Sequence, residues 1–305
     1  MNKKETPVRK AKDVFLYNIQ NNKYYDLRCN SNVLGHSPQS LATIVKNKVS
    51  ASWNINQLDT IYHNRYTKLL NSLSGDRYRI RSAFSPEEFF GRLFLYCTLN
   101  NIKPLIHGKR MNDWFDGKGI LLPPGRKKKK IEIYDMAEIY LDSTGEAAPV
   151  LPASGNGNIS IANYYWYPST DIPFSLEADI IILPELFNGN FKYITLLVKN
   201  QLEDMLKITG DINGVPSLYI ASSLKFYSLL KKEKNRPPQS LNWKSFNCKG
   251  RLFSFKDFKN KQLMEDIRMN LYSKNIAVNI HPPYYNYFPL TLKDYQVKYL
   301  SGAAE

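Results

Sequence analysis

Alternation of apolar and polar positions is sharpest near the start of the chain. Residues 14–19 and 24–29 both read as strands, and Asn21 and Asn22 between them tolerate the positive φ of a tight hairpin. The Leu34-Gly35-His36-Ser37-Pro38 turn then leads into a helix beginning near Ser40. Leu58, Ile61, Tyr62, Tyr66, Leu69 and Leu70 recur at helical spacing and predict a helix over 57–73. Ser85-Pro86-Glu87-Glu88 predicts another helix start: a Ser cap, Pro at the first helical position and Glu88 completing a capping box. That helix covers 86–99 and buries Phe89, Phe90, Leu93 and Cys97.

From 104 to 179 the pattern weakens. Pro123-Pro124-Gly125, Pro149, Pro152 and the Gly/Asn run 154–158 predict loops or a rebuilt insertion, with 131–135 the strand-like exception. The continuous apolar run 178–184 predicts a strand buried on both faces. Beyond it the pattern predicts a helix over 191–206, a strand over 217–221 and a helix over 224–232 capped by Ser222. A linker at 235–238, a strand at 250–255, a helix over 262–273, a strand at 276–280 and a last helix capped by Thr291 complete the reading. Helices alternate with strands through the middle and the ends are strand-rich, which is an α/β centre with an α+β flank.

Composition narrows the class. The 305 residues carry 42 Lys+Arg against 27 Asp+Glu, a net charge of +15, with 43% hydrophobic and 13% aromatic residues. Such a chain can bury a large core in one large or two modest domains, and is not disordered, collagenous or a disulfide scaffold. No apolar run approaches the roughly 20 residues of a membrane-spanning helix, so no membrane partner is expected. The start MNKKETPVRKAKD has no apolar segment behind it, which argues against a secretory signal. Cys29, Cys97 and Cys248 are odd in number and scattered; they read as reduced thiols in a cytoplasmic protein.

The positive charge favours polyanions in principle, yet it is concentrated in the stretches 3–12, 126–130 and 231–234. The run Arg126 to Lys130 follows Pro-Pro-Gly and reads as a solvated loop ahead of a polyanion site. Without zinc-ligand spacing or an aromatic RNP-like strand, no nucleic-acid partner is expected. There is no GxSxG, P-loop, HExxH or GxGxxG, and His36, His63, His107 and His281 lack metal-ligand spacing, so no metal is expected. The helix start at Ser85 is either an anion site or an ordinary cap. The aromatic run 284–288 reads as a packed strand rather than a binding platform.

Several blocks, in order along most of the chain, resemble class-III pyridoxal-phosphate aminotransferases, the group that includes glutamate-1-semialdehyde aminomutase. Asn18, Asn21-Asn22, Tyr25 and Asp26, then Leu34-Gly35-His36-Ser37-Pro38, are similar to that family's opening strand pair and its L-G-H turn. Ala83-Phe84-Ser85-Pro86-Glu87 stands where the family carries its phosphate-binding turn, and Ile106-His107-Gly108 where it carries Y-H-G. Gly214-Val215-Pro216 resembles a G-G-G-x-P turn. The segment 272–299 is similar to the family's C-terminal block, with Asn275-Ile276, His281-Pro282, Thr291 and Asp294 in place.

The resemblance implies a shortened large α/β domain of fold type I, the pyridoxal-phosphate-transferase fold, over 51–234. A small α+β domain would be built from both termini, 1–50 and 235–305. It implies a homodimer, or a heterodimer with a full-length homologue, and an amino or keto small molecule as substrate if the chain is active. Pyridoxal 5'-phosphate would be held through Ser85, Pro86, His107 and Gly108. The chemistry needs a Schiff-base lysine, a carboxylate on the pyridinium nitrogen and a stacking ring. The family's lysine position falls on Thr209, with Lys207 two residues away as the candidate catalytic lysine. Leu183 replaces a Glu, Ile106 replaces the stacking Tyr, and Glu203-Asp204 is the one adjacent acidic pair between 184 and 214. His107 reads equally as ligand-facing or structural. Three readings follow: a degenerate aminotransferase homologue, a divergent active enzyme using Lys207 in sugar or amino-acid metabolism, and a polyanion binder through 126–130.

Overall fold

The structure is a computed structural model and describes residues 7–28, 35–36, 39–52, 61–75, 77–123, 129–143, 151, 158–166, 178–184, 193–233, 243–289 and 291–303. The chain divides into two compact units, one of residues 1–42 with 233–305, the other of 43–232.

The smaller unit opens with β1 (Val8–Lys12), β2 (Phe15–Asn18) and β3 (Lys23–Asp26), an antiparallel meander. Asn21 takes φ +64° in the β2–β3 turn, the conformation its side chain tolerates. Asp26, fully buried at the end of β3, is met by Arg28 Nε at 2.7 Å and His36 Nε2 at 3.0 Å. Burial by itself raises the Asp26 carboxyl; the His36 and Arg28 hydrogen bonds outweigh it and hold the group below its ordinary range. Gly35 adopts φ +76°, and a Cβ there would lie 2.9 Å from the Asp13 carbonyl oxygen, so the turn requires glycine.

The larger unit takes most of the helices. In chain order come α1 (Gln39–Ser52, which the unit boundary crosses), α2 (Ile61–Ser74), β4 (Tyr78–Ala83) and α3 (Pro86–Leu99). They are followed by β5 (Lys103–His107), α4 (Lys109–Gly117), β6 (Lys130–Asp135), α5 (Met136–Asp142), β7 (Ile159–Asn163) and β8 (Ile180–Ile182). Last are β9 (Ile194–Lys199), α6 (Glu203–Lys207), β10 (Gly210–Asp211) and, after a 3₁₀ turn, α7 (Ser217–Glu233). One sheet of order β10-β4-β9-β8-β7-β6-β5 organises them. β5 to β8 are mutually parallel, while β9 runs antiparallel to both β8 and β4. Hence the carboxyl ends of β4, β5, β6, β7 and β8 share one edge. The central strands are apolar because both faces of the sheet are buried; consecutive Ile180, Ile181 and Ile182, with Leu196 and Leu197, are fully buried.

The remainder returns to the smaller unit: β11 (Phe246–Lys249), β12 (Leu252–Phe255), α8 (Lys261–Ser273), β13 (Ile276–Ala277), β14 (Tyr285–Tyr287) and α9 (Asp294–Ala303). β13 adds to β3 in parallel, and β11, β12 and β14 form a second, antiparallel sheet. Phe15, Leu27, Trp243, Phe253, Phe255 and Ile276 lie in their common core, and the Trp243 indole donates to the Leu300 carbonyl at 3.1 Å.

Several sequence expectations change. The helix expected over 191–206 is strand β9 followed by the short α6. Ile194, Leu196, Leu197 and Val198 form a short apolar run broken only by Thr195, which a buried helix and a central strand present alike; enclosure between β8 and β4 selects the strand. The strand at 217–221 and the helix at 224–232 are one helix, α7, so Ser222 and Ser223 are buried inside it rather than capping it. The last helix begins at Asp294, three residues beyond Thr291, and Gln296 accepts from the Lys293 N–H there. The weak stretch 104–179 holds, beside the expected strand β6, the unexpected β5, α4, α5 and β7, and β1 and β4 were also unforeseen. Residues 57–60, 126–128 and 235–238, with Cys29, Leu34, Ser37 and Pro38, lie outside the described residues.

Candidate functional site

Open α/β sheets bind ligands beyond the carboxyl ends of their parallel strands. Register places one row of residues at that edge here: His107 beside Tyr134, Asp135 beside Asn163, Asn163 beside Ile182, and Ile182 beside Leu196. Three helices, α3, α4 and α5, start from this edge.

The α3 start has the geometry its sequence predicts. The Glu88 N–H donates to Ser85 Oγ at 3.1 Å, and Glu88 Oε2 accepts from the Phe84 N–H at 2.6 Å. Arg92 pairs with Glu88 at 2.6 Å and Lys118 with Glu87 at 3.0 Å. Burial pushes the Glu87 carboxyl up, but its own backbone N–H and Lys118 prevail and hold it below the ordinary range. Pro86 brings no N–H. Ser85 and Pro86, read as cofactor-binding residues, thus build a self-satisfied cap.

The α4 and α5 starts interlock. Asp135, fully buried at the end of β6, accepts from the Ala137 and Glu138 N–H groups at 3.1 and 3.4 Å and caps α5. Glu138 reaches across to α4, where it accepts from the Arg110 N–H at 3.1 Å and pairs with the Arg110 guanidinium at 3.2 Å. Arg110 is 2% exposed, so this is a buried ion pair. Gly108 stands against both: a Cβ there would lie 2.8 Å from Asp135 Cβ and 3.2 Å from Glu138 Oε2. Close packing of two strand ends therefore accounts for this glycine. His107 is exposed and stacks flat on Tyr134, ring centroids 4.4 Å apart. The Tyr134 hydroxyl donates to Glu132 at 2.7 Å, and burial together with that carboxylate raises the phenol.

At the end of β7 sits Asn163, buried, with both ends of its amide engaged. Its Oδ1 accepts from the Tyr165 N–H at 3.1 Å and its Nδ2 lies 3.8 Å from Met111 Sδ. Tyr165 and Trp166 follow in edge-to-face contact. On the far side of the row, Phe84 and Tyr193 meet edge to face at 5.5 Å. Sequence reasoning missed Asp135, Glu138, Arg110 and Asn163. Asp135 followed three residues later by Glu138 is a helix-start signal that the weak surrounding pattern obscured.

Lys207 stands elsewhere. It is 75% exposed on α6 and pairs with Asp204 at 2.9 Å. α6 leads into β10, the sheet's other edge strand, three strand spacings from β8, or about 14 Å at ~4.8 Å each. Thr209 is buried and accepts from Arg81 Nε at 3.1 Å. Asp204 faces solvent and Tyr96 of α3. Leu183, expected from the resemblance to stand at a Glu position, is buried and donates its N–H to the Thr195 carbonyl. The strand following it, β9, brings no carboxylate.

Pyridoxal phosphate needs a lysine amine, a carboxylate for its ring nitrogen and donors for its phosphate. Among the described residues of this edge, Lys109 is exposed at the α4 start, Lys118 is paired with Glu87, and the group ending β7 is a neutral amide. The α3 donors are taken by Ser85 and Glu88. The described residues do not fit the cofactor. Among them, too, no group of three or more His, Cys, Asp or Glu side chains could hold a metal ion, and no helix is long and apolar enough to cross a membrane.

No protein-family model matches the chain, and no curated protein matches it in sequence. Solved structures do. A phospholyase from Arthrobacter, in complex with phosphoethanolamine, superposes with a TM-score of 0.69 at 12% identity, covering 100% of this chain and 94% of that one. Ornithine aminotransferase from Toxoplasma gondii gives 0.66 at 14%, covering 100% and 91%. Taurine:2-oxoglutarate aminotransferase from Bifidobacterium kashiwanohense, in complex with PLP and glutamate, gives 0.64 at 10%, covering 98% and 92%. At these identities the likeness establishes the fold, which is the mixed α/β fold of the aminotransferases.

Proposed function

We propose that this chain is a class-III-like aminotransferase homologue that has lost transamination chemistry and serves as a binding or partner subunit. The observation that carries the reading is the row at the carboxyl edge of the larger unit's sheet. There β7 ends in the neutral amide of Asn163, and Asp135 and Glu138 are committed to capping and to Arg110. Fold alone does not decide activity, because the chemistry resides in the site. The resemblance makes a second copy or a full-length homologue the expected associate.

The test is amino-group transfer. The purified chain, with pyridoxal phosphate and a panel of amino donors and keto acceptors, should transfer no faster than the free cofactor, and Lys207→Ala should behave like the unaltered chain. Turnover above the free cofactor that Lys207→Ala abolishes would replace this reading with the divergent-enzyme one.

A further inference from the structure

We infer that the α3 start, at the carboxyl edge of the larger unit's sheet, is closed to phosphate-bearing ligands, because its N–H groups and its dipole are answered from within the chain. The inference rests on the proposed function and goes a step further. Losing Schiff-base chemistry would still leave a chain free to keep the cofactor as a passive ligand, and self-capping closes that route at α3.

A helix start attracts an anion through its free N–H groups and the positive end of its dipole. Each start here has spent part of both, and α3 the most. At α3 the proline has no N–H, the Glu88 N–H is held by Ser85 Oγ, and the neighbouring Phe84 N–H is held by Glu88 Oε2. At α4 the Arg110 N–H is held by Glu138 Oε2, and the space beside Gly108 is filled by Asp135 and Glu138. At α5 the Ala137 and Glu138 N–H groups are held by Asp135 Oδ1. The dipole is answered by the same carboxylates. Three cations near these starts are paired with them, Arg92 with Glu88, Lys118 with Glu87 and Arg110 with Glu138, while Lys109 at the α4 start is exposed. A phosphate entering at α3 would displace a charge-assisted hydrogen bond and stand beside two like charges. A net charge of +15 therefore coexists with a helix start, α3, whose own carboxylates oppose an anion.

The experiment is residue-resolved amide NMR of the full chain during titration with inorganic phosphate at constant ionic strength. The amides of Phe84 and Glu88 should show no saturable shift. In Glu87→Ala/Glu88→Ala, which frees the Phe84 N–H, Arg92 and Lys118, those of Phe84 and residue 88 should shift saturably. A saturable shift at either amide in the unaltered chain overturns the inference. A double variant that stays silent overturns the assignment of closure to those carboxylates. Failure of the proposed function looks different: a lysine adduct formed equally by pyridoxal and pyridoxal 5'-phosphate would sink that reading and leave this one intact.

Discussion

The α3 start and the α4–α5 junction lie at the same sheet edge and solve the same problem by different means. Both must satisfy N–H groups that a helix leaves without partners. At α3 the capping groups are short-range in sequence and half-exposed: Ser85, Glu87 and Glu88, with Arg92 and Lys118 as counter-ions. At α4–α5 they are long-range and buried, with Glu138 reaching 28 residues back to Arg110 and Gly108 leaving room for it. An exposed cap can be lost with modest consequence, whereas a buried ion pair cannot be half removed. The contrast teaches that the polar residues of this edge hold the fold together, and that the two halves do so at very different stakes.

Substitutions sharpen that contrast, beginning with the largest expected effect. Glu138→Ala removes the carboxylate paired with Arg110, itself only 2% exposed, and should cost about 3–5 kcal/mol in denaturant unfolding. Replacing both partners, Arg110→Met with Glu138→Met, should recover much of it; an equal or larger loss in the double variant would mean the pair is more than structural. Gly108→Ala forces a Cβ against Asp135 and should cost about 1–3 kcal/mol, read as a fall in thermal midpoint. Ser85→Ala removes one exposed cap and should cost about 1 kcal/mol. A loss as large as that of Glu138→Ala would erase the distinction drawn here. Lys207→Ala touches a solvent-exposed i,i+3 pair and should leave the unfolding midpoint where it was.

The sequence made the α3 start legible down to its hydrogen bonds, because a capping box is local: Ser85, Pro86 and Glu88 lie within four residues. The β2–β3 hairpin was readable for the same reason. The α4–α5 junction was not, since its logic joins Arg110 to Glu138 across β6, and the Pro- and Gly-rich stretches around it break any periodicity. β7 is five residues long, flanked on one side by a Gly/Asn run, and its strand character comes from pairing with β6 and β8. β9 and α7 went astray through ambiguity rather than silence. An apolar run of four to eight residues suits a strand or a buried helix equally, and tertiary position decides. Of the expected site residues, Ser85, Pro86, His107 and Gly108 do come to the shared edge, as strand order and the blocks' sequence positions require. Lys207 does not, because the segment expected to be a helix before it is the strand β9, whose carboxyl end lies opposite that edge.

The most direct test of the central claim is borohydride reduction of the purified chain with pyridoxal phosphate, followed by peptide mass mapping. If the carboxyl edge has been given over to holding the fold, labelling will be scattered and sub-stoichiometric over exposed lysines. A single lysine labelled to completion, whether Lys207, Lys109 or another, would contradict the account and restore a Schiff-base enzyme.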